Sequence, residues 1–119
     1  MGTCILVETL HPRHPYLAHS PTMRVPMTVS TTDYAYVALW AALLAVRRHN
    51  RSSRRKIRHL VCPGLGTGCG QLDPSEAARQ MGLAWIHFQS PPSQIDWPFA
   101  AFRQQQIRRG GDLGRTSPP

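Results

Sequence analysis

Acid is what this chain has least of. Only six of its 119 residues are Asp or Glu, against fourteen Lys and Arg, for a net charge of +8. So few carboxylates leave little for a metal site or for acid–base chemistry. The cation excess favours anionic partners such as nucleic acid, acidic lipid or a phosphorylated ligand. Cysteine is scarce too: Cys4, Cys62 and Cys69 are odd in number and far apart. They make neither a disulfide framework nor a zinc-spaced pair, and a reducing, cytoplasmic setting is the simplest inference. There is no apolar run long enough to span a bilayer. No basic start leads into an apolar stretch, and Pro12 and Pro15 interrupt the N-terminus early, so a secretory signal is not expected. No internal repeat is present.

The length allows one domain. Residues 1–15 hold a short apolar patch broken by Pro-His-Arg-His-Pro and are read as an unrelated or disordered segment. Residues 16–102 are the expected domain, and 103–119 a basic Gly/Pro tail whose composition from Ile107 onward predicts disorder. The foldable middle is then roughly 75 residues, near the lower limit for a self-supporting core. Tyr16 to Ala18 suggests a very short strand. Pro21 and Pro26 mark a loop or sheet margin. Ser30-Thr31-Thr32-Asp33 supplies helix-capping groups ahead of an Ala/Leu-rich run from Tyr34 to Asn50, apolar around most of its circumference. Ile57 to Cys62 reads as an apolar strand ended by Pro63. Asp73-Pro74-Ser75-Glu76 starts a second helix to about His87, with Asp73 as cap, Pro74 at the first turn and Glu76 completing a capping box. Trp97, Phe99, Ala100 and Phe102 form a last apolar cluster. The expected fold class is α/β, with a small sheet, two main helices packed on it and Ile57–Cys62 as the central strand.

Between that strand and the second helix lies Cys62-Pro63-Gly64-Leu65-Gly66-Thr67-Gly68-Cys69-Gly70. Alternating glycines are costly in ordered chain, so the loop must turn sharply or let something approach closely. At a strand-to-helix junction that something is often a phosphate held by backbone N–H groups; a flexible turn is the plainer alternative. The spacing misses the last glycine of the dinucleotide fingerprint, and no Lys-Ser or Lys-Thr follows to make a P-loop.

Taken together, Pro21-Thr22-Met23-Arg24-Val25-Pro26, Thr32 and Tyr36 before the Ala-Leu helix, the Pro63 to Gly70 loop and Ala77-Ala78-Arg79-Gln80-Met81 resemble the macro domain family. The resemblance covers about residues 16–88. It implies a three-layer α/β/α module for ADP-ribose and related nucleotides. Gly64, Leu65, Gly66, Thr67, Gly68, Cys69 and Gly70 would then form one of two loops around the diphosphate and distal ribose. Backbone amides would do most of the binding, with a possible hydroxyl bond from Thr67. Only the carboxyl-terminal half of such a domain is matched, which implies an incomplete or truncated one, with an inactive fragment that takes no ligand as an alternative. The first binding loop, the adenine-recognising acid and much of the family's catalytic equipment have no counterpart in residues 1–15.

Other patterns are weaker. Arg47, Arg48, Arg51, Arg54, Arg55, Lys56 and Arg58 form a basic run that is either a nucleic-acid patch or a solvated connection; it lacks interleaved aromatics to stack on bases. His11 and His14, with Cys4 and His19, sketch a metal set that the prolines and missing carboxylates argue against. His59 and Cys62, three apart on a strand, would point to opposite faces and make no nucleophile–base pair. Trp40 and Trp85, each among Ala and Leu, read as packing residues. No general base accompanies the glycine loop, since Asp33 and Asp73 serve helix starts, so binding without catalysis, metal or cofactor is expected.

Overall fold

A computed structural model describes residues 2–109. The chain starts with a hairpin. Strands β1 (Ile5–Glu8) and β2 (Tyr16–His19) pair antiparallel, Ile5 opposite His19 and Glu8 opposite Tyr16. The segment assigned from sequence to the N-terminal region outside the domain thus supplies one of two strands. Pro12 and Pro15 give the intervening turn no N–H, so side chains help to close it. Thr9 donates through its backbone to Pro15 O at 3.0 Å, and Nδ1 of His11 accepts the N–H groups of Arg13 and His14, each at 3.1 Å. His11 is therefore a turn residue, with His14 stacked on it at 5.1 Å.

Helix α1 (Tyr34–Ser52) follows. Its Ala-rich face lets neighbours approach closely, and Ala35, Tyr36, Ala38, Leu39, Ala41, Ala42, Leu43 and Ala45 are buried, the wide apolar face expected from the sequence. Its start differs from expectation. Asp33 makes no side-chain cap bond. The Thr32 hydroxyl accepts from Tyr34 N at 3.4 Å, and Oε1 of Gln80, far along the chain, accepts from Tyr36 N at 3.2 Å. A hydroxyl of the capping run is used in place of the Asp33 carboxylate, and a tertiary contact from Gln80 adds to it.

Helix α2 (Pro74–Gln89) begins with Asp73 as its cap, the carboxylate accepting from Ser75 N and Glu76 N at 3.1 and 3.3 Å with Pro74 in the first turn. The expected capping box is not completed, because the Glu76 carboxylate accepts from Arg79 and Gln80 instead. It packs along α1, where Leu83 and Ala84 are fully buried against Tyr36, Leu39 and Leu43. A smaller core of Val29, Ala35, Leu72 and Ala77 lies beside it, and Leu65 packs against both. The cluster at Trp97 opens a third helix, α3 (Trp97–Arg109). Arg79 holds its far end, donating to the carbonyls of Gln106 at 3.0 Å and Ile107 at 2.6 Å. The tail expected from sequence to be disordered over 103–119 is thus corrected at its start, residues 103–109 belonging to α3; residues 110–119 lie outside the described residues.

Among the described residues the fold is a small α/β arrangement of three helices and a two-stranded antiparallel sheet. One expectation is overturned: Ile57–Cys62 is not a strand, central or otherwise. Its composition suits a strand, but a strand needs a partner. The N–H and C=O of Ile57 are both taken by the Asn50 side chain, at 2.7 and 2.8 Å. β2 is paired to β1, and Pro63 has no N–H to give. The segment crosses the surface extended and unladdered.

Candidate functional site

The glycine loop follows that extended segment and is anchored from both sides. The Gly70 carbonyl accepts Val29 N–H at 2.8 Å, and the Gly66 carbonyl accepts Leu72 N–H at 2.9 Å. Two of its four glycines are needed for this packing. Gly66 sits at φ +77°, which L-residues rarely adopt. A Cβ on Gly70 would lie 2.5 Å from the Val29 side chain and 2.7 Å from the Gly66 carbonyl. At Gly68 a Cβ would meet nothing within 4 Å.

The residues singled out in the sequence divide accordingly. Leu65 faces the core, and Gly70 is buried. Thr67 turns its hydroxyl back onto the Gly64 carbonyl at 2.7 Å. Gly64, Gly68 and Cys69 are exposed. The N–H groups of Leu65, Gly66, Gly68, Cys69 and Gly70 donate no hydrogen bond among the described residues. The start of α2 is not a free anion site, because Asp73 already accepts two of its amides and the Ser75 hydroxyl. Those bonds, the Ser75 hydroxyl first, hold the Asp73 carboxyl below its ordinary range. An anion on this loop would be held by loop amides, with an ionised carboxylate at the end of the loop.

The basic run is displayed rather than gathered. Arg48, Arg51, Arg54, Arg55, Lys56 and Arg58 are exposed, while Arg47 lies over the Phe88 ring at 5.1 Å. The backbone carrying them is held in shape: His49 Nε2 bonds the Arg55 carbonyl at 2.8 Å, and Lys56 Nζ donates to Asn50 O.

The thiols of Cys4, Cys62 and Cys69 are unpaired. Cys62 is exposed as a residue, yet the desolvation its thiol does suffer pushes it up, away from the thiolate a nucleophile requires. Among the described residues no three His, Cys, Asp or Glu side chains gather as a metal set. No helix of the described residues is long and apolar enough to cross a membrane.

A cavity of about 720 Å³ beside the start of α1 includes Thr32, Asp33, Arg79 and Gln80. Arg79 is not free to bind a ligand there. It pairs with Glu76 at 2.6 Å and caps α3, and that pairing lowers the Glu76 carboxyl and raises Arg79.

The sequence reading missed a buried polar chain: Tyr36 Oη to His87 Nδ1 at 2.8 Å, then His87 Nε2 to Gln106 Oε1 at 2.8 Å. Its one sequence signal was His87 falling four residues after Leu83, on the buried stripe of α2. No family model matches the chain, and neither does any curated protein or solved structure.

Proposed function

We propose that this chain is a weak binding module for ADP-ribose or a related phosphorylated nucleotide, holding the diphosphate on the Gly64–Gly70 loop. The observation that carries the reading is the set of uncommitted amides at Leu65, Gly66, Gly68 and Cys69, on a loop anchored at Gly66 and Gly70. Fixed N–H groups in a turn form an anion-binding concavity. The resemblance of residues 16–88 to macro domains supports the same ligand class, with the chain as an incomplete, degenerate version of that three-layer fold. The binding is weak because Asp73 carries negative charge beside the loop. The loop brings no general base, so the module binds without catalysis. Three unpaired thiols accord with a reducing compartment such as the cytoplasm.

Calorimetry with ADP-ribose tests the reading. Gly68→Glu is the informative variant: a Cβ there has open space, so the fold is kept while a carboxylate repels the diphosphate. Measurable heat with the native chain, lost in Gly68→Glu, supports the module. No heat at millimolar ligand rejects it.

The exposure of Arg48, Arg51, Arg54, Arg55, Lys56 and Arg58 supports a second reading, association with nucleic-acid phosphates. Replacing Arg54, Arg55 and Lys56 by Gln would then lower the slope of log K against log salt by about two to three. Salt-insensitive binding, or an unchanged slope, rejects this second reading.

A further inference from the structure

A groove of about 880 Å³ runs over α1 between β2 and the 57–63 segment. Leu39, Ala42 and Val46 of α1 line it, as do Tyr16–Ala18 of β2 and the segment from Ile57 to Pro63. β2 is hydrogen-bonded along one edge only, to β1. The backbone of Arg58–Cys62 makes no hydrogen bond among the described residues. Val61 there is 91% exposed. Extended backbone with unpaired N–H and C=O groups is how a sheet takes up a further strand. Here two such stretches border one apolar groove.

The geometry points to this groove as the docking site for an extended, acidic-flanked peptide segment of a partner protein, inserted as a β-strand between β2 and Arg58–Cys62. Alternate apolar side chains of that strand would rest on Leu39, Ala42 and Val46. Charge decides the flanks: Arg13, Lys56 and Arg58 line the groove, and among the described residues no Asp or Glu does. Single-stranded nucleic acid would also meet these cations and the rings of His14, Tyr16 and His59, but unpaired backbone bordering the groove at β2 and Arg58–Cys62 favours a peptide strand. The groove adjoins the glycine loop at Leu65, but the proposal does not depend on the glycine-loop reading.

The probe is a fluorescein-labelled synthetic peptide, Asp-Glu-Val-Thr-Val-Thr-Val-Thr-Glu-Asp, titrated with the full chain by fluorescence anisotropy. Saturable binding is expected. N-methylation of alternate peptide amides keeps the side chains but removes main-chain donors, and should weaken binding about tenfold or more. A version with lysines at both ends should not compete. Val61→Pro removes one donor from an exposed residue and should weaken the native peptide about tenfold with an unchanged circular dichroism spectrum. Hydrogen exchange on the native chain should show peptide-dependent protection of residues 58–62 and 16–19, a readout that needs no variant to fold. Equal binding of the N-methylated peptide, or protection elsewhere, overturns the proposal. So does protection of these amides without peptide in a concentration-dependent dimer, which would make a second copy the occupant. Displacement of the peptide by a poly-dT oligonucleotide with loss of the protection overturns it as well.

Discussion

The hydroxyl of Tyr36 lies 2.8 Å from Nδ1 of His87, 51 residues further along the chain, and both residues are buried. With the Gln106 oxygen facing Nε2, that nitrogen carries the proton, and Nδ1 is left to accept from Tyr36. One neutral imidazole thereby joins α1, α2 and α3. Around it, Arg103 of α3 lies over the rings of Trp40 and Phe99, at 5.5 and 4.8 Å, and donates to the carbonyls of His87 in α2 and of Ser90 just beyond it. Few apolar contacts hold α3, so this polar chain carries much of its docking.

Tyr36→Phe should therefore destabilise the chain more than the loss of one hydroxyl suggests. It leaves His87 Nδ1 buried without a donor, a cost of about 1–3 kcal/mol. Urea denaturation should show a lower midpoint with the same slope. A midpoint equal to that of the native chain would mean that the pair contributes nothing.

The same pair sets the pH range of stability. Burial pushes the His87 imidazole below its ordinary value, Arg103 adds to the effect, and the Gln106 bond opposes it. The folded state thus holds its proton more weakly than the unfolded chain, whose His titrates near about 6.5. Stability from this group is complete above that pH, falls as pH drops toward the folded value, and levels off below it. Tyr36 acts at the other end: burial chiefly, with Asp33, pushes its hydroxyl up to about 12 against the opposing Arg103. Its contribution is complete below about pH 10 and is lost as pH rises from there to the folded value. Urea midpoints measured from pH 4 to 11 should show both limbs. His87→Gln should flatten the acid limb and Tyr36→Phe the alkaline one; unchanged limbs would assign the pH dependence to other groups.

The two main helices were legible because their signals are local. Asp73, Pro74 and Glu76 mark a start whatever the rest of the chain does, and the Ala/Leu run to Asn50 has no competing period. The strand at Ile57–Cys62 was not legible, because strand is a property of pairing. Its residues suit a sheet, yet no neighbour is left for it once β2 pairs with β1 and Asn50 takes Ile57. Likewise the length of α3 depends on Arg79 and His87, distant residues no local pattern announces. In the loop the glycine alternation was visible, but which glycines serve packing and which leave an open face depends on Val29, reached only in space.

Asn50 is the hinge of that difference. Removing its amide in Asn50→Ala frees both backbone groups of Ile57, with an expected loss of about 1–2 kcal/mol. Hydrogen exchange at the Ile57 amide should accelerate well beyond that of the α1 interior. If Ile57 exchanges as slowly as before, the side-chain clamp is not what holds the extended segment.

Gly66, Gly68 and Gly70 make the last prediction, a graded series within one loop. Gly68→Ala places a methyl in open space and should leave the denaturation midpoint within experimental scatter, apart from the small gain that a stiffer unfolded chain brings. Gly66→Ala imposes φ +77° on an L-residue and brings its Cβ 3.2 Å from the Val29 side chain. The conformational strain alone costs about 1–2 kcal/mol. Gly70→Ala is the most severe, because its Cβ would stand 2.7 Å from the Gly66 carbonyl, a backbone atom that moves only with the whole loop. The Val29–Gly70 hydrogen bond would be strained in the same step, and with it the contact between the loop and the chain ahead of α1. The expected order of midpoints is native and Gly68→Ala together, then Gly66→Ala, then Gly70→Ala. Equal tolerance at all three positions would show that the loop is not packed against Val29, and would remove the rigidity on which the anion-binding reading depends.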